Sequence, residues 1–328
     1  ENDVGTDGFL ELCRLTDAEP MMGVNAGNGT AEQAAAWVEY CNGPADSGWG
    51  AVRAANGHPE PYGVRYWVVG NEQWGHFERG YVGPEKYGER YLRFAEAMRK
   101  VDPTITLVAV GKAGEFNVAM LPVAGAQADE LQIHIYSDEI PVVDDETATA
   151  KIRSAARFDN EVAQIRGEVA AVPGCAHVRI AIDEWGWSRP NHAGAVYIAA
   201  ALNAFHRAAP FVASACRTCV VQADGLLDRV GNTIVKQPAY EAYRLYNQAH
   251  LPVAVTASST GEVALDVSCL TDPATGKTSV FIVNPEAFDV NATIEGLDVA
   301  EGKTVTVDRL VATELGPSAP ATAASTTM

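Results

Sequence analysis

Two stretches of this chain have the pattern of buried strands that end abruptly at acidic residues. Residues 66–70 are Tyr-Trp-Val-Val-Gly, and Asn71 and Glu72 follow them directly. Residues 178–182 are Val-Arg-Ile-Ala-Ile, and Glu184 stands two positions further on. Short apolar runs rich in β-branched residues predict strands of a parallel sheet. In a (β/α)8 barrel the carboxyl ends of the strands line the active site, so both glutamates are predicted to be catalytic.

The first 250 residues alternate between strand patterns and helix patterns. One helix is predicted to begin at Pro84 and to end before Pro103, with an apolar stripe at helical spacing. This alternation predicts an α/β fold with one parallel sheet, and we expect a catalytic TIM-type (β/α)8 barrel over residues 1–250. The predicted strands are residues 20–25, 66–71, 105–110, 131–136, 178–183 and 218–222.

The composition changes at Leu251. Short alternating runs follow, separated by turn residues such as Asp272 and Pro273, which predicts a small antiparallel β-sandwich over residues 251–315. Pro, Ala, Ser and Thr dominate residues 316–328, so this tail is predicted to be disordered.

Charge and hydropathy exclude two classes of partner. The chain has 328 residues and a formal net charge of −18, so nucleic acid phosphates would be repelled. Hydrophobic residues make up 47% of the chain, enough for a large core. No apolar run approaches the roughly 20 residues of a membrane span. The chain is therefore expected to bind neither nucleic acid nor membrane.

The cysteines argue against a metal centre. Only Cys216 and Cys219 form a CxxC pair, and the sequence has no second pair that would complete a structural zinc site. No His, Asp and Glu cluster has ligand spacing either, so neither a metal nor a cofactor is predicted. The dispersed cysteines are typical of buried thiols in a reducing compartment, and we expect a cytoplasmic protein.

Two motifs carry a resemblance to a known family. Residues 70–75, Gly-Asn-Glu-Gln-Trp-Gly, and residues 183–185, Asp-Glu-Trp, resemble the acid/base and nucleophile motifs of glycoside hydrolase family 51. Residues 35–63 resemble the same family, which consists mainly of α-L-arabinofuranosidases. The resemblance implies a retaining enzyme that releases terminal α-L-arabinofuranosyl residues from arabinose-containing oligosaccharides or polysaccharides. In that role Glu184 is the nucleophile and Glu72 is the acid/base.

The resemblance also implies four sugar-site residues. Asn71 resembles the family asparagine that binds the sugar 2-hydroxyl. His134 and Tyr136 match the His-x-Tyr of the sixth strand, in which the tyrosine orients the nucleophile, and their alternation places them on one face. Gln222 resembles a sugar contact at the end of the last strand. Residues 223–225 depart from the Leu-Val-Asn expected after it, which weakens that assignment.

Three tryptophans follow the motifs. Trp74 and Trp187 are predicted on loops, where each could stack on a sugar face or simply pack against protein. Trp185 is predicted to belong to the core. Each of the polar residues above also has a structural alternative, as a strand-end cap or as a barrel-interior group that its neighbours satisfy.

The strand count predicts an incomplete barrel. In the family the acid/base belongs to strand four and the nucleophile to strand seven, so residues 20–25 correspond to strand three. Strands three to eight are then present, and we expect the first two to precede Glu1, in a longer enzyme of which this chain is an N-terminally truncated fragment.

Two other functions remain open. An endo-β-glucanase or xylanase of the same clan would share both glutamates, and the loops decide between exo and endo action. A catalytically silent sugar-binding homologue would lose a carboxylate, whereas this chain retains Glu72 and Glu184. The expected partner is a sugar substrate, and a homo-oligomer is also possible.

Overall fold

A computed structural model describes residues 4–136, 140–186, 191–222, 225–297, 304–311 and 322–327 of the chain. Its helices are α1 (Thr6–Thr16), α2 (Ala31–Asn42), α3 (Gly48–Ala55), α4 (Pro84–Val101), α5 (Glu115–Ala124), α6 (Asp145–Arg153), α7 (Ala156–Ala170), α8 (His192–Ala208) and α9 (Pro238–Gln248), with a short 3-10 helix at Gly125–Gln127. No helix in these ranges is long and apolar enough to cross a membrane.

One sheet contains the strands that alternate with these helices. Its order follows the chain, from β1 to β6, and the registers of the first four strands are parallel. The strands are β1 (Met21–Val24), β2 (Tyr66–Val69), β3 (Thr106–Val110), β4 (Glu130–Ile135), β5 (Arg179–Trp185) and β6 (Val212–Arg217). The predicted α/β alternation is confirmed for this part of the chain.

Five of the six strands lie where the sequence predicts them, and the last does not. Residues 218–222 were expected to form a strand because Cys-Val-Val at 219–221 is apolar, but β6 ends at Arg217. Cys219 has φ +62°, which turns the chain out of the sheet, and Val220 and Val221 are exposed. The predicted strand at 218–222 is therefore wrong.

The chain divides into two compact units. The first comprises Glu1–Ile133 and Ala163–Ala181, and the second comprises His134–Val162 and Ile182–Met328. In the first unit the buried phenol of Tyr87 joins two strand ends. It donates to the carbonyl of Val69 and accepts from the N–H of Val110, at 2.7 Å each. This bridge fixes the carboxyl ends of β2 and β3 beside α4.

Arg53 organises the long connection between α2 and β2. Its side chain is fully buried and donates to the carbonyls of Tyr40, Gly43, His58 and Pro59. Carbonyl groups of a loop must find partners when the loop is buried, and one guanidinium supplies them here. The connection therefore has a structural core of its own.

In the second unit, aromatic packing surrounds the end of β5. Trp185 is fully buried and makes edge contacts with Phe158 and Phe205, which confirms its prediction as a core residue. Phe158 lies on α7 and Phe205 on α8, so the two helices are anchored against the residue that follows Glu184.

Antiparallel strands follow α9, as predicted. They are β9 (Val253–Val255), β10 (Asp266–Asp272) and β11 (Lys277–Val283) in one sheet, and β12 (Thr306–Val311) with β13 (Thr322–Thr327) in another. Strand β13 differs from the disorder predicted for its segment, because its backbone pairs with β12 from Thr306 to Val311. A separate hairpin, β7 (Leu227–Val230) and β8 (Thr233–Lys236), precedes α9.

Candidate active site

Glu72 lies in a strained turn directly after β2. Gly70 leaves the strand with φ +101°, and Glu72 itself has φ +46°. Left-handed backbone at a residue with a side chain costs about 1–3 kcal/mol and concentrates at functional positions. The carbonyl of Glu72 accepts from the N–H of Gly75 at 2.8 Å, which closes the turn. The half-buried carboxylate is thus held at the carboxyl end of β2, with the exposed Asn71 beside it.

Hydrogen bonds from Arg90 of α4 hold the residues around this turn in place. One of its guanidinium nitrogens donates to the carbonyls of Ala26 and Gly80, at 2.7 and 2.8 Å, and lies 3.5 Å from Oε1 of the buried Gln73. The Gln73 amide in turn donates to the carbonyl of Asn71 at 3.3 Å. No sequence pattern indicates this role of Arg90, because its partners are main-chain carbonyl groups, 64 and 10 positions away in the chain.

Trp74 is half-buried in the same loop. The ammonium of Lys112, which follows β3, lies 3.6 Å from the centre of the Trp74 ring, and Phe77 meets the ring edge-on at 5.5 Å. A cation at this distance is attracted to an aromatic face. One face of Trp74 is therefore already covered, and a sugar could stack only on the other.

Glu184 lies near the carboxyl end of β5 in the second unit, and it is contacted by His134 of β4 and by Tyr136, which directly follows that strand. The phenol of Tyr136 donates to Oε2 of Glu184 at 2.6 Å. Nδ1 of His134 lies 3.4 Å from the same oxygen, while Nε2 lies 3.2 Å from Oδ1 of Asp183. His134 is only 3% exposed, whereas Glu184 is 33% exposed. The imidazole is thus held between two carboxylates, and the Glu184 side chain is partly exposed to solvent.

This arrangement agrees with the predicted positions of His134 and Tyr136. Both come from the end of β4 and both reach the same carboxylate. A hydroxyl that the sequence did not indicate joins them, because Oγ1 of Thr218 lies 2.9 Å from the phenol oxygen. Thr218 is 82 positions from Tyr136, and no local pattern connects them.

Of the two remaining predicted contacts, Gln222 and Trp187, only Gln222 is among the described residues. Gln222 is exposed and lies in a turn in which its N–H donates to the carbonyl of Leu227. It is not at the end of a strand, so the premise for its sugar contact is wrong. Trp187 lies outside the described residues.

Known α-L-arabinofuranosidases are similar in sequence to parts of this chain. The family model described as an α-L-arabinofuranosidase 1 domain matches residues 1–155. The chain is 30% identical over 274 residues to α-L-arabinofuranosidase C of Emericella nidulans, covering 75% of this chain and 54% of that protein. It is 33% identical over 142 residues to an intracellular exo-α-(1→5)-L-arabinofuranosidase of Bacillus subtilis, covering 41% and 28%. The chain spans about half the length of the curated relatives it matches.

A solved structure extends the similarity to the fold. The GH51 α-L-arabinofuranosidase of Thermotoga petrophila superimposes with a TM-score of 0.85 at 23% identity, covering 99% of this chain and 74% of that one. The predicted TIM-type barrel fold with a small antiparallel sheet is confirmed. The family model, the curated relatives and the superimposed structure all make this chain similar to α-L-arabinofuranosidases, in agreement with the resemblance of its motifs to glycoside hydrolase family 51.

Proposed function

We propose that this chain carries the catalytic residues of a retaining α-L-arabinofuranosidase, which releases terminal arabinofuranosyl residues from arabinose-containing glycans. The observation that carries the proposal is the partly exposed Glu184 carboxylate, oriented by the phenol of Tyr136 at 2.6 Å. The match to the family model over residues 1–155 and the activity named for the Emericella nidulans relative support it.

Glu184 acts as the nucleophile in this proposal. Tyr136 and His134 both contact Oε2, so Oε1 is the oxygen that attacks the anomeric carbon. The new bond joins Oε1 to the anomeric carbon, and the bond to the leaving-group oxygen breaks. A nucleophile held by hydrogen bonds on one oxygen keeps a fixed direction of attack for the other.

Glu72 transfers the protons. It gives its proton to the leaving-group oxygen in the first step, then takes a proton from the water that attacks the anomeric carbon in the second. The second step breaks the ester to Glu184 and restores both carboxyl groups to their starting states. Two displacements at one carbon give net retention. Asn71, directly before Glu72, is proposed to bind the sugar 2-hydroxyl, a contact that strengthens in the transition state.

A panel of p-nitrophenyl glycosides tests the proposal, with the anomer of the first product followed by proton NMR. We expect turnover of the α-L-arabinofuranoside, with α-configured arabinose formed first. Turnover of cello- or xylo-oligosaccharides instead would indicate the endo-β-glucanase or xylanase alternative. Sugar binding without turnover of any glycoside would indicate a silent sugar-binding homologue and contradict the proposal.

We also propose a reducing compartment for this protein, in line with the predicted cytoplasmic location. All six cysteines are free thiols, and the Bacillus subtilis relative is named as intracellular. Fractionation of the source cells, with antibody detection of the chain, tests the location. Recovery from the culture medium would contradict it.

A further inference from the structure

Thr218 and Tyr136 form a directed pair of hydrogen bonds with Glu184. The Thr218 hydroxyl lies 2.9 Å from the phenol oxygen, and the phenol oxygen lies 2.6 Å from Oε2 of Glu184. A phenol has one hydrogen to donate, and a carboxylate oxygen only accepts. The phenol hydrogen therefore goes to Glu184, and the Thr218 hydroxyl gives its own hydrogen to the phenol oxygen. The two hydrogen bonds therefore run in one direction, from Thr218 through Tyr136 to Glu184.

The backbone around Thr218 is fixed independently of this hydroxyl. The N–H of Thr218 donates to the carbonyl of Trp185 at 3.0 Å, which aligns it with the residue directly after Glu184. The buried guanidinium of Arg217 donates from one nitrogen to the carbonyls of Thr218 and Cys219, at 3.2 and 3.1 Å. The hydroxyl is thus presented to Tyr136 by a turn that other contacts hold in place.

Hydrogen bonds in a chain polarise one another, so a hydroxyl that accepts one donates a stronger one. We propose that Thr218 is a positioning residue that acts on Glu184 through Tyr136. The proposal rests on the function proposed above, in which Glu184 is the nucleophile. Thr218 need not touch the sugar. It holds the phenol hydrogen on Oε2, and this keeps Oε1 directed at the anomeric carbon in both displacements.

Kinetics of the variant Thr218→Val test the proposal, because valine keeps the shape and removes the hydroxyl. One neutral hydrogen bond contributes about 0.5–1.5 kcal/mol, so we expect kcat to fall about 2- to 13-fold. KM should change less than about twofold, because the substrate contacts are intact. Thr218→Ser should restore kcat. Thr278→Val, on the exposed face of β11, is the matched control and should leave turnover unchanged.

The double variant separates action through Tyr136 from independent action. In a Tyr136→Phe background, Thr218→Val should cause no further loss, because the phenol oxygen that it polarises is gone. Equal losses in both backgrounds, an unchanged kcat in Thr218→Val, or failure of serine to restore turnover would each overturn the proposal. If circular dichroism shows that the valine variant is unfolded, Thr218→Ala replaces it in the same cycle.

An NMR measurement that does not depend on turnover tests the role of Thr218 separately from the proposed function. With 13C at the Cζ carbon of tyrosine, the Tyr136 resonance is identified by its loss in Tyr136→Phe. We expect Thr218→Val to shift that resonance and Thr218→Ser to return it. A shift in a protein that hydrolyses no glycoside would support the hydrogen-bond pair while the proposed function fails. A resonance that does not move would overturn the pair even in an active enzyme.

Discussion

The phenol of Tyr136 donates to Oε2 of Glu184 across 2.6 Å, although 48 positions separate the two residues in the chain. A hydrogen bond to a charged group is worth about 1.5–3 kcal/mol, roughly twice a neutral one. Since the glutamate loses its charge when the glycosyl ester forms and regains it afterwards, the strength of this bond changes during the proposed reaction.

Tyr136→Phe is therefore expected to lower kcat by about 10- to 100-fold while the ring still packs as before. Steady-state kinetics on the p-nitrophenyl α-L-arabinofuranoside measure the loss, and thermal unfolding checks that the melting temperature stays within a few degrees. Wild-type kcat in the variant would show that the phenol is only structural.

Replacement of each of the two glutamates by alanine is expected to impair turnover in a different way. Glu184→Ala should abolish turnover of every substrate, because the attacking oxygen is removed. Glu72→Ala should slow substrates with poor leaving groups most, because those need protonation of the leaving oxygen. A comparison of p-nitrophenyl and alkyl arabinofuranosides measures this difference.

Azide provides the control for these assignments. It should restore turnover to both variants, with glycosyl azides of opposite anomeric configuration. In Glu72→Ala, azide attacks the ester that Glu184 has formed, whereas in Glu184→Ala it attacks the substrate directly. The same azide product from both variants would contradict the division of roles.

The buried guanidinium of Arg53 is expected to stabilise the fold without affecting catalysis directly. Arg53→Met would leave the carbonyls of Tyr40, Gly43, His58 and Pro59 without this donor. An unsatisfied buried group costs about 1–3 kcal/mol, so the free energy of unfolding should fall by at least about 3 kcal/mol. Urea denaturation measures it, with the exposed Arg93→Met as the matched control. Equal stability of the two variants would contradict the structural role of Arg53.

The sequence predicts the positions of Glu72 and Glu184 because each follows a short apolar run that is typical of a buried strand. β2 and β5 are found within two residues of those predictions. Their period and composition are local properties, and such properties can be read from one segment at a time. The prediction of His134 and Tyr136 as site residues comes from their resemblance to the family's His-x-Tyr, and the alternation of residues 131–136, which places both on one face, supports it.

Thr218 and β6 could not be predicted in this way. The apolar residues at 219–221 resemble a strand, whereas the strand itself, Val-Ala-Ser-Ala-Cys-Arg, is small and weakly hydrophobic. Its end is set by the buried Arg217 side chain and by the left-handed backbone of Cys219, and both depend on tertiary contacts. The role proposed for Thr218 depends on a partner 82 positions away, which no local pattern indicates.

A half-buried histidine in the second unit should make stability depend on pH. His206 of α8 lies against Phe281, and its Nδ1 is 3.1 Å from Oγ of Ser268. That hydroxyl donates to Asn203 at 2.7 Å, so Nδ1 must carry the hydrogen that joins it to Ser268. Burial first, and then the nearby charges of His250 and Arg207, lower the pKa of His206 from 6.5 to about 4.

Because the pKa of His206 is lower in the folded chain than in the unfolded chain, acidification is expected to lower stability. Between pH 6.5 and about 4 the unfolded chain binds a proton at His206 that the folded chain does not, so stability falls as the pH falls through this window. The loss is complete below about pH 4 and amounts to something on the order of 3 kcal/mol. Urea denaturation at pH 7, 5.5 and 4.5 measures the free energy of unfolding above the window and at two points inside it. We expect His206→Gln to lose less stability than the wild type as the pH falls. The exposed His76→Gln should follow the wild type. Parallel losses in all three proteins would show that His206 does not control the acid sensitivity of this unit.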